Sequence, residues 1–184
     1  MWNNRPMSGD TRIPYRATVA GSAWEDVRPL PVTVLLENVR SLYNVGAFFR
    51  TADAVSVEKL CLTGITGHPP QHMISKTALG AEETVPWVHT RETEPTLAKL
   101  RAAEYELAAI ETSAHAIDLF EWQPRFPVCV MFGHETDGLT ERAAAMADTH
   151  IRIPMLGSKH SLNVASAGAV VLYELLRKYR SLRC

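Results

Sequence analysis

No GxGxxG pattern follows an apolar run in this chain, and neither a GxSxG turn nor a GxxxxGK[ST] segment occurs. Those absences remove the usual dinucleotide, serine-hydrolase and nucleoside-triphosphate loops. Cysteine is scarce. Cys61 and Cys129 fall inside apolar runs, Cys184 ends the chain, and no CxxC spacing exists. The pattern predicts buried free thiols in a reducing cytosol rather than a thiolate metal cage. His68 and His72 have the spacing of helical zinc ligands, but Pro69 and Pro70 lie between them and forbid a regular helix there. No metal site is expected. A dominant charge sign is missing too. The formal net charge is −1, which argues against a strongly basic nucleic-acid binder but leaves room for a local basic face. No apolar run approaches the ~20 residues of a membrane span, and no signal-like segment opens the chain. With 184 residues, 46% hydrophobic and 21% charged, the chain predicts one soluble cytoplasmic domain with a sizeable core and no membrane partner.

Charge is nevertheless uneven. Arg177, Lys178, Arg180 and Arg183 crowd the C-terminus against Glu174 alone. Arg5, Arg12, Arg16 and Arg28 mark the start, against Asp10, Glu25 and Asp26. Each cluster alone reads as a solvated helix end or a loose arm; together they offer two phosphate-contacting edges. Residues 1–30 read as an N-terminal arm and residues 31–184 as the domain.

Apolar runs and helical periodicity alternate along that domain. Strands are expected at 32–37, 57–62, 84–89, 107–111, 128–132 and 150–153, with Pro86 pointing to an edge or an end. Helices are expected from Asn44, as N-cap, to about 55, and at 94–105, at 140–147 capped by Thr140, and at 162–179. The last carries Leu162, Ala165, Ala169, Leu172, Tyr173 and Leu176 at i, i+3, i+4 spacing. Strands alternating with helices predict an α/β domain, a mostly parallel sheet with helices on both faces.

Three segments stand out: NVGAFFRTADA (44–54), FGHETDGL (132–139) and IPMLGSKHSLNVASA (153–167). Each directly follows an apolar run and mixes glycine with polar side chains. Loops at the carboxyl ends of parallel strands are where open α/β sheets bind ligands, so three of them suggest one composite site. Taken singly, each position also has a purely structural role. Asn44 could be a cap, and Arg50 a surface partner of Asp53. Glu135 could cap turn amides, and Ser161 and Asn163 could start the last helix.

Taken together, N-x-G-x-x-x-R-T-A-D-A, F-G-x-E-x-x-G-L and I-P-M-x-G-x-x-x-S-L-N-V-x-x-A closely resemble the three signature motifs of the SpoU/TrmH family of RNA 2′-O-ribose methyltransferases, in the SPOUT superfamily. The resemblance runs from about residue 32 to 177. Ser56 departs from it, standing where many members have glycine. The resemblance implies a deep C-terminal trefoil knot, a homodimer, and S-adenosylmethionine as methyl donor. Cofactor-binding positions carry over to Thr112, Gly133, Ile153, Met155, Ser161 and Leu162. Catalytic positions carry over to Arg50, Asn44, Glu135, Ser161 and Asn163. A guanidinium is a poor base, so Arg50 is expected to stabilise the developing alkoxide or a neighbouring phosphate that takes the proton. The implied substrate is structured RNA, tRNA favoured over rRNA because no appended recognition domain is evident. An idle RNA-binding or assembly protein on the same fold is the alternative, opposed by the intact motif residues. Base methylation is disfavoured by N-x-G-x-x-x-R.

Overall fold

The computed structural model describes residues 29–182; the arginines of the N-terminal arm, together with Arg183 and Cys184, lie outside them. Apolar β-branched runs give the central strands β1 (Leu30–Glu37), β2 (Val57–Thr63) and, further along, β6 (Val128–Phe132). Between and beyond them lie β3 (Trp87–Thr90), β4 (Glu106–Ile110), β5 (Ile117–Asp118) and β7 (Thr149–Arg152). The sheet order is β3-β2-β1-β6-β4-β7-β5, and every pairing is parallel.

Alternate residues of these strands feed two separate cores, which is why the strands read as continuous apolar runs. One face packs Val34, Leu36, Leu62, Val130 and Phe132 against the helices α1 (Leu42–Val55), α2 (His72–Ala78), α3 (Ala81–Thr84) and α6 (Val164–Ser181). The other packs Leu35, Cys61, Leu107, Cys129 and Met131 against α4 (Glu94–Ala102) and α5 (Glu141–Ala145). The expected α/β sheet with helices on both faces is therefore present. Phe48 of α1 meets Phe132 of β6 with ring centroids 5.1 Å apart, and α6 crosses Phe48 at Gly168, where a Cβ would stand 2.2 Å from the ring. Cys61 and Cys129 are buried free thiols; burial pushes Cys61 up to about 11 and raises Cys129 well above the ordinary thiol value, so neither is a nucleophile at neutral pH.

Several local expectations need correction. Ser41, not Asn44, caps α1: its hydroxyl accepts the Asn44 N–H at 3.3 Å, which moves the helix start to Leu42. Between the second and third strands the sequence reading places no helix, yet α2 begins at His72, one residue after the proline pair, and α3 follows after a left-handed Leu79–Gly80 link. Thr84 closes α3, so the third strand starts at Trp87 rather than at 84, and it does occupy the sheet edge. On α6 the buried residues are Gly168, Val171, Leu172, Glu174, Leu175 and Lys178, whereas Tyr173 and Val170 are exposed.

Lys178, expected among phosphate-contacting cations, is instead buried. Its Nζ donates to the carbonyls of Leu119 at 2.9 Å and Phe120 at 3.2 Å and to that of Trp122, and it lies 3.5 Å from Glu174. Arg177 is spent on the same Glu174 through two hydrogen bonds, at 2.8 and 2.6 Å.

Ser56 ends α1 in the left-handed region, with φ 56° and ψ 51°. That conformation costs a side-chain-bearing residue roughly 1–2 kcal/mol, while glycine adopts it freely but loses more freedom on folding. Ser56→Gly should therefore stabilise the protein by about 0.5 kcal/mol in equilibrium urea unfolding, without altering the slope.

Candidate functional site

The carboxyl ends of β4, β6 and β7 open into a cleft of about 510 Å³, within the range of small-molecule sites. Its walls come from three loops: 111–113 after β4, 133–139 after β6, and 153–162 leading from β7 to α6.

The β6 loop is a tight reversal, with His134 and Gly138 exchanging backbone hydrogen bonds at 2.9 and 3.0 Å. Gly138 turns the chain at φ 72°. Gly133 is buried under that reversal, and a Cβ there would stand 2.0 Å from the Gly138 carbonyl carbon and 2.1 Å from the Leu139 nitrogen. Only a bare backbone fits, so the floor of the cleft presents main chain rather than side chains.

Glu135 projects from this turn to the start of α1. Its carboxylate accepts the Arg40 N–H at 3.2 Å, the Ser41 N–H at 3.0 Å and the Asn44 Nδ2–H at 3.0 Å. The Asn44 Oδ1 in turn accepts the Asn163 Nδ2–H at 3.1 Å. Asn163 completes the line as the N-cap of α6, its Oδ1 accepting the Ala165 and Ser166 amides at 3.0 and 3.3 Å. One residue from each of the three sequence segments is thus joined into a single relay. Its direction is fixed: each amide turns its oxygen toward α6's side of the contact or its own cap, and its NH₂ toward the carboxylate.

Burial pushes the Glu135 carboxyl up, but the hydrogen bonds from the Ser41 backbone, its own backbone, Asn44 and Arg40 together outweigh it and hold the group below the ordinary carboxylate value. Stability from a depressed carboxyl is fully present above the unfolded value and is lost as pH falls through the folded one. Between about pH 5 and pH 3 the native protein should therefore lose more stability than Glu135→Gln does, as read by thermal melts across that interval.

The other sequence-predicted residues divide clearly. Thr112, Gly133, Glu135, Ile153, Met155, Ser161 and Leu162 all line the cleft. Asn44 and Asn163 stand beside it, in the relay. Arg50 does neither. It is exposed two turns along α1, and its side chain makes no hydrogen bond or ion pair with a described residue. The surface pair with Asp53 does not form; Asp53 instead accepts the Thr84 hydroxyl at 2.9 Å. Gly46, one turn before Arg50, faces protein rather than ligand: a Cβ there would stand 1.9 Å from Thr77 Oγ1 of α2.

Cleft residues that sequence reasoning passed over include Glu111, His134 and His160. His134 Nδ1 accepts the Thr136 and Asp137 amides, each at 3.3 Å, and so braces the turn. Glu111 directly follows β4 and bonds His150 of the neighbouring strand, a pairing visible only once the strand order is known. Among the described residues no group of three or more His, Cys, Asp or Glu side chains could hold a metal ion, and no helix is long and apolar enough to cross a membrane.

The chain is 38% identical over 151 residues to the tRNA (guanosine(18)-2′-O)-methyltransferase of Thermus thermophilus, covering 80% of this chain and 75% of that protein. It is 34% identical over 147 residues to the enzyme of the same name from Escherichia coli, covering 80% of this chain and 63% of that protein. Among solved structures it is similar to the SpoU methyltransferase AviRb from Streptomyces viridochromogenes in complex with AdoMet, with a TM-score of 0.75, 27% identity, and coverage of 84% of this chain and 60% of that one. The chain thus spans about three-fifths to three-quarters of the length of these relatives. The family model covers residues 31–173, a stretch that carries all three motifs and every loop of the cleft, and the chain accordingly belongs to the SpoU rRNA Methylase family.

Proposed function

We propose that this protein is an RNA 2′-O-ribose methyltransferase that uses S-adenosylmethionine and acts on a structured RNA, tRNA favoured over rRNA. The observation that carries the reading is the Glu135–Asn44–Asn163 relay, which ties the 133–139 turn, the start of α1 and the N-cap of α6 together beside one cleft. The cleft suits the cofactor on its own terms. It offers bare backbone at Gly133 and is lined by carboxylates with no lysine or arginine, a setting for a cationic ligand. Bound there, S-adenosylmethionine supplies an electrophilic methyl carbon whose bond to sulfur breaks as the ribose oxygen attacks. Thr112, Gly133, Ile153, Met155, Ser161 and Leu162 would hold it. Asn44, Glu135, Ser161 and Asn163 would orient the ribose. Arg50 would stabilise the negative charge that develops on the 2′-oxygen, the proton passing to a neighbouring phosphate or water.

Arg50 is absent from the cleft of its own subunit, which supports a homodimer in which the partner's Arg50 completes the site. Tyr43 lies two turns before Arg50 on the same face of α1, and Tyr43, Val170 and Tyr173 are exposed apolar groups suited to such an interface. Light scattering would show a dimer; a fully active monomer would overturn this part. A C-terminal knot is supported by two features. β7 enters between β4 and β5, and Lys178 of α6 is gripped by carbonyls of 119–122, within the segment that links β4 to β6. A crystal structure in which the 153–182 segment passes outside that loop would exclude it.

The test is direct. The protein is incubated with methyl-labelled S-adenosylmethionine and unmodified tRNA or rRNA, and the RNA is digested to nucleosides. Label in a 2′-O-methyl nucleoside is expected. RNA binding with no transfer to any RNA would favour the idle-scaffold alternative instead.

A further inference from the structure

The cleft holds three carboxylates, and they are not equivalent. Glu135 is saturated by two backbone amides and Asn44. Asp137 has a side chain 83% exposed, so water and salt screen it. Glu111 is different: its side chain is 24% exposed, and one oxygen is held by His150 Nδ1 from the adjacent strand. Its second oxygen has no hydrogen-bond partner among the described residues. The hydrogen bond from His150 fixes the carboxylate at the end of β4, one residue before Thr112. A neutral imidazole carrying its hydrogen on Nδ1 is enough to make that bond, leaving the negative charge on Glu111.

We infer that Glu111 is a specificity residue that reads the positive charge of the methyl donor, favouring S-adenosylmethionine over its demethylated product; the inference rests on the cofactor reading above. The two compounds share their adenosine, ammonium and carboxylate, and differ by one methyl group and one unit of charge at sulfur. When the methyl leaves, the carbon–sulfur electron pair stays on sulfur, and the sulfonium becomes a neutral thioether. A fixed, partly desolvated anion in the cleft therefore attracts the donor more than the product, and the bias towards release appears only after transfer. Lysine and arginine are absent from the lining, so no permanently charged cation of the cleft wall cancels it.

Glu111→Gln removes the charge while its amide oxygen can still accept from His150, so the fold should be retained, checked by an unchanged melting temperature. Calorimetric titration of both proteins with S-adenosylmethionine and, separately, with S-adenosylhomocysteine is the test. The substitution should weaken the donor about fivefold, the size of one charge contact across a half-solvated cleft, and alter the product by less than about twofold. Equal weakening of both compounds would mean that Glu111 serves a shared part of the molecule and would overturn the inference. No change in either would do the same. If the native protein bound neither compound, the cofactor reading itself would fall, and the inference with it.

Discussion

Arg50→Ala should lower methyl transfer about 100-fold or more while leaving the melting temperature and S-adenosylmethionine affinity nearly unchanged. Arg50 is exposed and touches neither the core nor the relay, so nothing in the fold depends on it. The cleft that suits the cofactor does not include it, so ground-state binding has no reason to change. A group that acts only on the charge developing in the transition state lowers turnover without weakening binding. Arg50→Lys should recover only part of the rate, because an ammonium cannot reproduce a planar two-pronged contact. Single-turnover measurements at saturating RNA and cofactor give the answer. Near-normal turnover in Arg50→Ala would remove Arg50 from the mechanism. In a dimer, mixing Arg50→Ala with a subunit defective at Glu135 should regain up to half of the sites, since one cleft in the mixed pair would then keep both groups.

Lys178→Ala should have the largest effect on stability, about 3 kcal/mol, or a melting temperature lower by about 6–12 °C. The ammonium joins three carbonyls of the 119–122 segment to α6, and each would be left without its donor in a buried place. Glu174 would not be stranded. Arg177, foremost through its hydrogen bonds, holds that carboxyl below the ordinary value and would continue to do so. The loss therefore measures the carbonyl cage rather than a broken ion pair. Arg177→Ala, at a side chain 65% exposed, should cost far less in the same calorimetric scan.

The contrast between these two neighbours shows where sequence reading succeeds and where it stops. Strands β1, β2 and β6 were legible because a strand covered on both faces must be apolar throughout. The helices α1, α4 and α6 were legible from their period. Lys178 was misplaced because its burial depends on where the 119–122 backbone lies, and composition carries no trace of that. Asn44 was assigned to the cap because asparagine is a good cap; Ser41, three residues earlier, was free to take that role and leave Asn44 for Glu135. The helices α2 and α3 were hidden by the glycines and prolines that bracket them. In the site, the residue types of the three motifs pointed to a common location, but the bonds among them span 91 and 119 residues. Only the strand order closes such distances, and the same holds for Glu111 and His150.

The relay from Glu135 to α6 also limits how the protein can vary. Acceptors and donors alternate along it, so no single member can exchange an amide for a carboxylate without setting like against like. Aspartate at 44 would set two carboxylates face to face, and glutamine at 135 would not relieve it. The oxygen that accepts from Asn44 also accepts the Ser41 N–H, and an amide NH₂ in its place would oppose that backbone donor. Position 135 therefore answers to the backbone that opens α1 as much as to position 44.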